Sequence, residues 1–214
     1  MSEAPPAEDA EAAPQNPDDV KAWRRTRRKE LIAARRVLDR PAREDIRTAL
    51  RARLRADVPW LAGHEIGFYW PIQGEPDLRD LVRGFIDEGA GASLPVVVEK
   101  GRPVEFWRWR PDMRMVPGDW NIPQPQAREP VSPTALLVPL VGFAGFYRLG
   151  YGAGYYDRTL AALSPRPWTV GVGLEQGRLA TIHPQPHDIP LDAIVTEAET
   201  RFGPALNGRG GEAS

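Results

Sequence analysis

The run ALLVPLV, residues 135–141, leads through the short link GFAGFY into the ten-residue string RLGYGAGYYD, residues 148–157. Seven nearly all-apolar residues without polar alternation fit a β-strand covered on both faces, as in a parallel sheet flanked by helices. Gly150, Gly152 and Gly154 then predict a turn, and the residues to about Leu163 continue as a helix. Buried strand, glycine turn and helix in that order form the repeating unit of an α/β fold. Ligands of such folds sit at the carboxyl ends of the strands, where this turn lies.

The same alternation extends outward. Residues from about Asp18 to Val37 are strong helix formers, with Asp18 or Asp19 as amino-terminal cap and Trp23, Leu31 and Ile32 on a partial apolar face. A second helix follows Pro41, with Ile46, Ala49, Leu50 and Leu54 at helical spacing. Glu65 to Trp70 (EIGFYW) reads as a strand ending in the loop PIQGEPD. Leu78, Leu81, Val82, Phe85 and Ile86 mark a helix that stops at Gly89 and Gly91. Ser93 to Val98 and Val104 to Trp109 read as neighbouring strands, and Pro111 to Pro130, with five prolines, as loop. Trp168 to Leu174 and Ala193 to Thr196 complete a three-layer αβα domain with a largely parallel central sheet, spanning residues 18–206. Residues 1–17, acidic and rich in Ala and Pro, predict a disordered tail, and residues 207–214 a flexible carboxyl end.

Composition narrows the chemistry. A 214-residue chain with 42% hydrophobic residues buries a core without covalent staples. The absence of cysteine excludes disulfides, thiolate zinc sites, iron–sulfur clusters and thiol nucleophiles. No apolar run is long enough for a membrane span, and Met1 precedes acidic sequence rather than a signal peptide, so a cytoplasmic protein with no membrane partner is expected. The formal charge of −1 hides an asymmetry: residues 1–20 carry six of the 29 acidic residues and none of the 28 basic ones, leaving a mildly basic body. His64, His183 and His187 form no zinc pattern, and His187 reads as a surface histidine.

Alternating glycines let the backbone adopt dihedrals closed to other residues, and successive N–H groups ahead of a helix make a concave anion site. Arg148 can fork onto a phosphate or carboxylate, and Asp157 offers hard oxygen to magnesium. The string is neither a P-loop, since no Lys-Ser/Thr follows, nor the dinucleotide pattern G-x-G-x-x-G. The spacing alone suits equally a tight strand-to-helix turn with Tyr155 and Tyr156 in the core. The basic helix RRTRRKELIAARR is open to three readings: ligand-binding, solvated face or nucleic-acid patch.

Taken as a whole, RLGYGAGYYD resembles the signature of the 5-formyltetrahydrofolate cyclo-ligase family, also called 5,10-methenyltetrahydrofolate synthetases. The resemblance runs from about Arg24 to Glu197 through YWPIQGEPD, LPVVV, NIPQP, LLVPLVGF and finally HDIPLDAIVTE. It implies a fold like that of the NagB/RpiA/CoA-transferase group. It also implies conversion of 5-formyltetrahydrofolate to 5,10-methenyltetrahydrofolate with ATP and Mg2+, releasing ADP and phosphate, by a monomer that binds no nucleic acid. By resemblance, Gly150, Tyr151, Gly152, Ala153, Gly154, Tyr155 and Tyr156 hold the ATP phosphates with Arg148 at the reacting group, and Asp157 and Asp188 bind the metal. Arg24 and Arg28 stand where the family carries a Lys and, four residues later, an Arg on ATP. Trp70, Glu75, Arg148 and Tyr155 are implied for folate, with Tyr69, Trp109 and Trp120 as further aromatic candidates, while Arg35 and Arg36 read as solvated charge. The sequence departs from the family in Arg24, in Ala144 after Phe143, and in a short link to Arg148. Those departures keep a second expectation open: an ATP-binding paralogue with altered or lost folate activity.

Overall fold

The protein is described by a computed structural model covering residues 16–207. Most of the expected acidic tail, and everything after Asn207, lies outside the described residues. Two helices open the chain, α1 (Pro17–Arg36) and α2 (Arg40–Asp57), followed by β1 (Glu65–Gly67), α3 (Arg79–Asp87), β2 (Gly91–Val96) and β3 (Glu105–Arg108). A small hairpin of β4 (Met115–Pro117) and β5 (Pro123–Pro125) precedes β6 (Pro130–Val131) and β7 (Ala135–Pro139). Then come the hairpin of β8 (Gly142–Ala144) and β9 (Tyr147–Leu149), α4 (Tyr155–Ala162), β10 (Trp168–Val172), β11 (Ala193–Val195), β12 (Thr200–Phe202) and α5 (Pro204–Asn207).

Eight strands form one sheet in the order β12-β11-β10-β7-β1-β2-β3-β6. Its centre, β11 through β2, is parallel, while β12, β3 and β6 pair antiparallel at the edges. The chain leaves β1 for β2 on one side and returns to β7 on the other, so a topological switch point lies beside β1.

ALLVPLV fulfils its reading through the strand period of two. Ala135 and Leu137 join one core cluster with Leu50, Leu54, Phe68 and Phe85. Leu136 and Val138 point into the opposite cluster with Phe106, Phe143, Leu160 and Ile194. All four are fully buried, each large side chain contributing about 1.5–3 kcal/mol.

Several boundaries differ from the sequence reading. Asn16, not Asp18 or Asp19, caps α1: Pro17 takes the first helical position, and the Asn16 side chain accepts from both aspartate N–H groups at 3.0 Å. β1 stops at Gly67 rather than Trp70, and β7 at Pro139 rather than Val141. The proline-rich stretch holds β4, β5 and β6, and the link to Arg148 is itself the hairpin β8–β9, turning at Gly145 with φ 56°.

Candidate functional site

α1 lies across the carboxyl edge of the sheet. Positions 24, 28 and 35 fall on one helical stripe with Leu31, whose methyl abuts Gly142. A pocket of about 530 Å³ opens beneath, lined by α1, the loop after β1, the ends of β2 and β7, the β4–β5 turn, the glycine loop and residues 187–188. Every residue expected to bind ATP, folate or metal lines it except the aromatic candidate Trp109.

At one end is the glycine loop. Gly152 and Gly154 have φ +96° and +67°, the left-handed region where a side chain is strained. A Cβ at Gly152 would also meet the Arg28 guanidinium at 3.2 Å. Arg28 donates from Nε to Gly150 O at 2.7 Å, and burial, with Arg24 nearby, lowers its pKa. Arg148, 7% exposed, donates through Nη1 to Ile189 O at 3.1 Å. Its Nη2 lies 2.6 Å from Asp157 Oδ1, within ion-pair distance but outside hydrogen-bond geometry, and has no other partner among the described residues. The Tyr156 hydroxyl is likewise buried without a hydrogen-bond partner among the described residues, and burial, with nearby Glu75, keeps it protonated.

Arg24 is fully engaged. It donates to Ile182 O at 2.9 Å and His183 O at 3.0 Å, and both terminal nitrogens fork onto Asp188. Against the upward push of burial, that fork and the Gln185 N–H hold the Asp188 carboxyl below its ordinary pKa. His187 is exposed, 3.8 Å from Asp188, as a surface histidine should be.

The donor set can be weighed for magnesium. Among the described residues no group of three or more His, Cys, Asp or Glu forms a ready cation cage. Magnesium accompanying ATP needs only one or two carboxylates, since phosphates and water supply the rest. Asp157 meets that need: Oδ1 accepts from Ile189 N at 3.1 Å and faces Arg148, leaving Oδ2 without a hydrogen bond among the described residues. Asp188 lines the same pocket with both oxygens on Arg24. The residues fit the ion, with Asp157 the readier ligand.

At the other end is Glu75, on a tight turn in which Gln73 and Gly74 have φ 51° and 79°. Glu75 Oε2 accepts from Ile72 N at 2.8 Å and Oε1 from the Tyr151 hydroxyl at 2.7 Å. Burial raises its pKa despite those bonds. Trp70 lines the pocket with the Arg79 guanidinium 4.4 Å over its ring, and Tyr69 is fixed by its hydroxyl to Pro76 O at 3.0 Å. Trp120, 65% exposed with φ 54°, meets Tyr155 edge-on at 5.7 Å across the mouth. Trp109 lies elsewhere: just past the end of β3, it is buried in the core cluster with its ring edge-on to Phe68.

Arg35 reverses its reading most clearly. It is 3% exposed and donates to three acceptors inside the molecule, while its neighbour Arg36 is exposed as expected. The signal was its place seven residues after Arg28 on the pocket-facing stripe.

Fold and pocket define an α/β protein whose site sits at the switch point of a parallel sheet, cationic at one end and aromatic with one buried carboxylate at the other. Residues 20–197 match the model of the 5-formyltetrahydrofolate cyclo-ligase family, and the chain belongs to that family. A 5-formyltetrahydrofolate cyclo-ligase of Mycolicibacterium smegmatis is 27% identical over 186 residues, 78% of this chain and 89% of that one. One from Escherichia coli K12 is 27% identical over 173 residues, 77% of this chain and 95% of its own. Among solved structures, the 5,10-methenyltetrahydrofolate synthetase of Aquifex aeolicus superposes with TM-score 0.72 at 27% identity, covering 84% of this chain and 92% of that one. A synthetase from Mycoplasma pneumoniae, at 23% identity and TM-score 0.67, covers 81% and 98% and shares the fold.

Proposed function

We propose that the pocket closes 5-formyltetrahydrofolate to 5,10-methenyltetrahydrofolate at the expense of ATP, with phosphates at the glycine loop and the pterin-type ring at Glu75. The formyl oxygen attacks the γ-phosphorus and ADP leaves; N10 then attacks the activated carbon, loses its proton, and phosphate departs. No protein nucleophile is required, so positioning and charge stabilisation carry the catalysis.

The observation that carries this reading is Arg148: a buried guanidinium on the pocket wall whose Nη2 is in ion-pair contact with Asp157 but makes no hydrogen bond among the described residues. Such a donor gains a well-aligned hydrogen bond when a phosphoryl oxygen arrives, and in a dry site that bond strengthens as charge moves onto the transferring group. Arg24 and Arg28 extend the positive wall, and the N–H groups from Gly150 to Tyr156 offer anion contacts. Glu75 accepts paired N–H donors of an aminopyrimidone, with Trp70 and Tyr155 bounding the ring. Asp157 and Asp188 would hold magnesium, which supplies charge neutralisation on the phosphates when bound. We expect the chain to act as a cytoplasmic monomer without nucleic acid; no helix among the described residues is long and apolar enough to cross a membrane.

The test is to incubate the protein with 5-formyltetrahydrofolate, ATP and Mg2+ and follow absorbance of the methenyl product. Product should form only with all three present. ATP binding with 5-formyltetrahydrofolate unconsumed would transfer the protein to the paralogue reading.

A further inference from the structure

Arg35 is buried like the core leucines, yet no step above uses it. Its guanidinium spends each nitrogen on a different segment. Nε donates to Gln73 O at 2.9 Å in the loop that carries Glu75. Nη1 donates to Leu140 O at 3.2 Å, just past β7. Nη2 donates to the Tyr151 hydroxyl at 2.6 Å in the glycine loop. Because that oxygen accepts from Arg35, its proton is free to point to Glu75 Oε1, 2.7 Å away. One cation thus sets the direction of a hydroxyl that joins the two loops.

The loop on the Glu75 side is also moulded on Arg35. Gln73 holds the left-handed conformation at φ 51°, which costs a non-glycine residue and persists where surroundings impose it. The carbonyl of that residue is the one Arg35 Nε binds. A Cβ at Gly74 would lie 3.4 Å from both Arg35 Cγ and its carbonyl oxygen, so the turn rests directly on the arginine. A planar fork can serve three acceptors in fixed directions where an ammonium cannot.

We propose that Arg35 is a positioning residue that couples the two halves of the site, transmitting occupancy of the glycine loop to Glu75 through the Tyr151 hydroxyl and the reverse. This rests on the assignment of nucleotide to one loop and folate to the other. A phosphate that draws the glycine loop onto itself fixes Tyr151, and with it the Glu75 oxygen that must face the ring. Each ligand therefore binds more tightly when the other is present, by the same factor in both directions.

Calorimetric titration with 5-formyltetrahydrofolate, with and without saturating magnesium and a nonhydrolysable ATP analogue, gives that factor as a ratio of affinities. The wild type should show about fivefold or more, within the usual range of such couplings. Tyr151→Phe removes only a hydroxyl from a partly exposed ring and should reduce the ratio below about twofold; because the ratio is taken within the variant, any change in its affinity for the analogue alone cancels. Arg35→Lys should do the same, and the double variant should lose no more than either single one, because both cut the same chain. Should Arg35→Lys not fold, Tyr151→Phe decides alone. A wild type that binds both ligands without coupling, or an undiminished ratio in Tyr151→Phe, overturns the proposal. A wild type that binds neither ligand overturns the underlying functional assignment and this coupling with it.

Discussion

At the glycine-loop end of the pocket, Arg148 and Arg24 each lie against an aspartate, whereas Glu75 at the other end is buried with no arginine in ion-pair contact among the described residues. The first arrangement balances full charges locally, so an incoming phosphate or cation can exchange for an existing partner. The second holds a carboxylate by dipoles, one N–H and one O–H, and burial raises its pKa. Such a group is poorly compensated and gains from donors that a ligand brings. One pocket thus presents an exchangeable ionic pole and a dry, acceptor-rich pole, a division suited to two chemically different substrates.

The largest expected effect comes from breaking the ionic pole. Asp157→Asn should lower turnover by on the order of a hundredfold or more in steady-state assay. It should also lower Tm, because Arg148 loses its facing carboxylate and a buried unpaired charge is costly. Near-normal turnover would remove Asp157 from the reacting site.

Next is the dry pole. Glu75→Gln should raise KM for the folate about tenfold to a hundredfold with a smaller change for ATP, the effect of one or two mismatched buried hydrogen bonds. Its pH signature has a definite sign. The folded carboxyl has a pKa above its ordinary 4.5, so between those values the folded chain binds more protons than the unfolded one. Wild-type Tm relative to Glu75→Gln should therefore fall as pH rises through that window and then level off. A rise would show that Glu75 is held by charge after all.

Arg24→Lys tests a smaller difference within the ionic pole. A lysine keeps the charge but cannot serve Ile182 O, His183 O and Asp188 together. KM for ATP should rise several-fold with a modest loss of Tm, an effect of about 1 kcal/mol. The smallest effect should be Trp120→Ala: with 65% exposure and a left-handed backbone, its removal should move stability by no more than about 0.5 kcal/mol in chemical denaturation.

Much of this arrangement was legible in the sequence for reasons that can be stated. ALLVPLV announced a two-faced strand because both faces are in fact covered, and the Leu78–Ile86 period announced α3 because one face alone is buried. RLGYGAGYYD located the ionic pole because a left-handed glycine turn before a helix leaves a local imprint. What the sequence concealed depends on distant partners. Arg35 looked like its exposed neighbour Arg36, since burial of an arginine is decided by acceptors 38 to 116 positions away in Gln73, Leu140 and Tyr151. Trp109 looked like Trp70 because strand-end aromatics differ only in the face they meet. The hairpin β4–β5 and the hairpin β8–β9 escaped because three-residue strands carry too short a period to read, and prolines in the former masked it.

On the proposed mechanism the two poles bring the formyl oxygen to the γ-phosphorus of ATP. The most direct measurement uses 5-formyltetrahydrofolate labelled with 18O in the formyl group, with mass analysis of the phosphate released in a single turnover. One labelled oxygen is expected in the phosphate for each methenyl product formed. Methenyl product accompanied by unlabelled phosphate would contradict it.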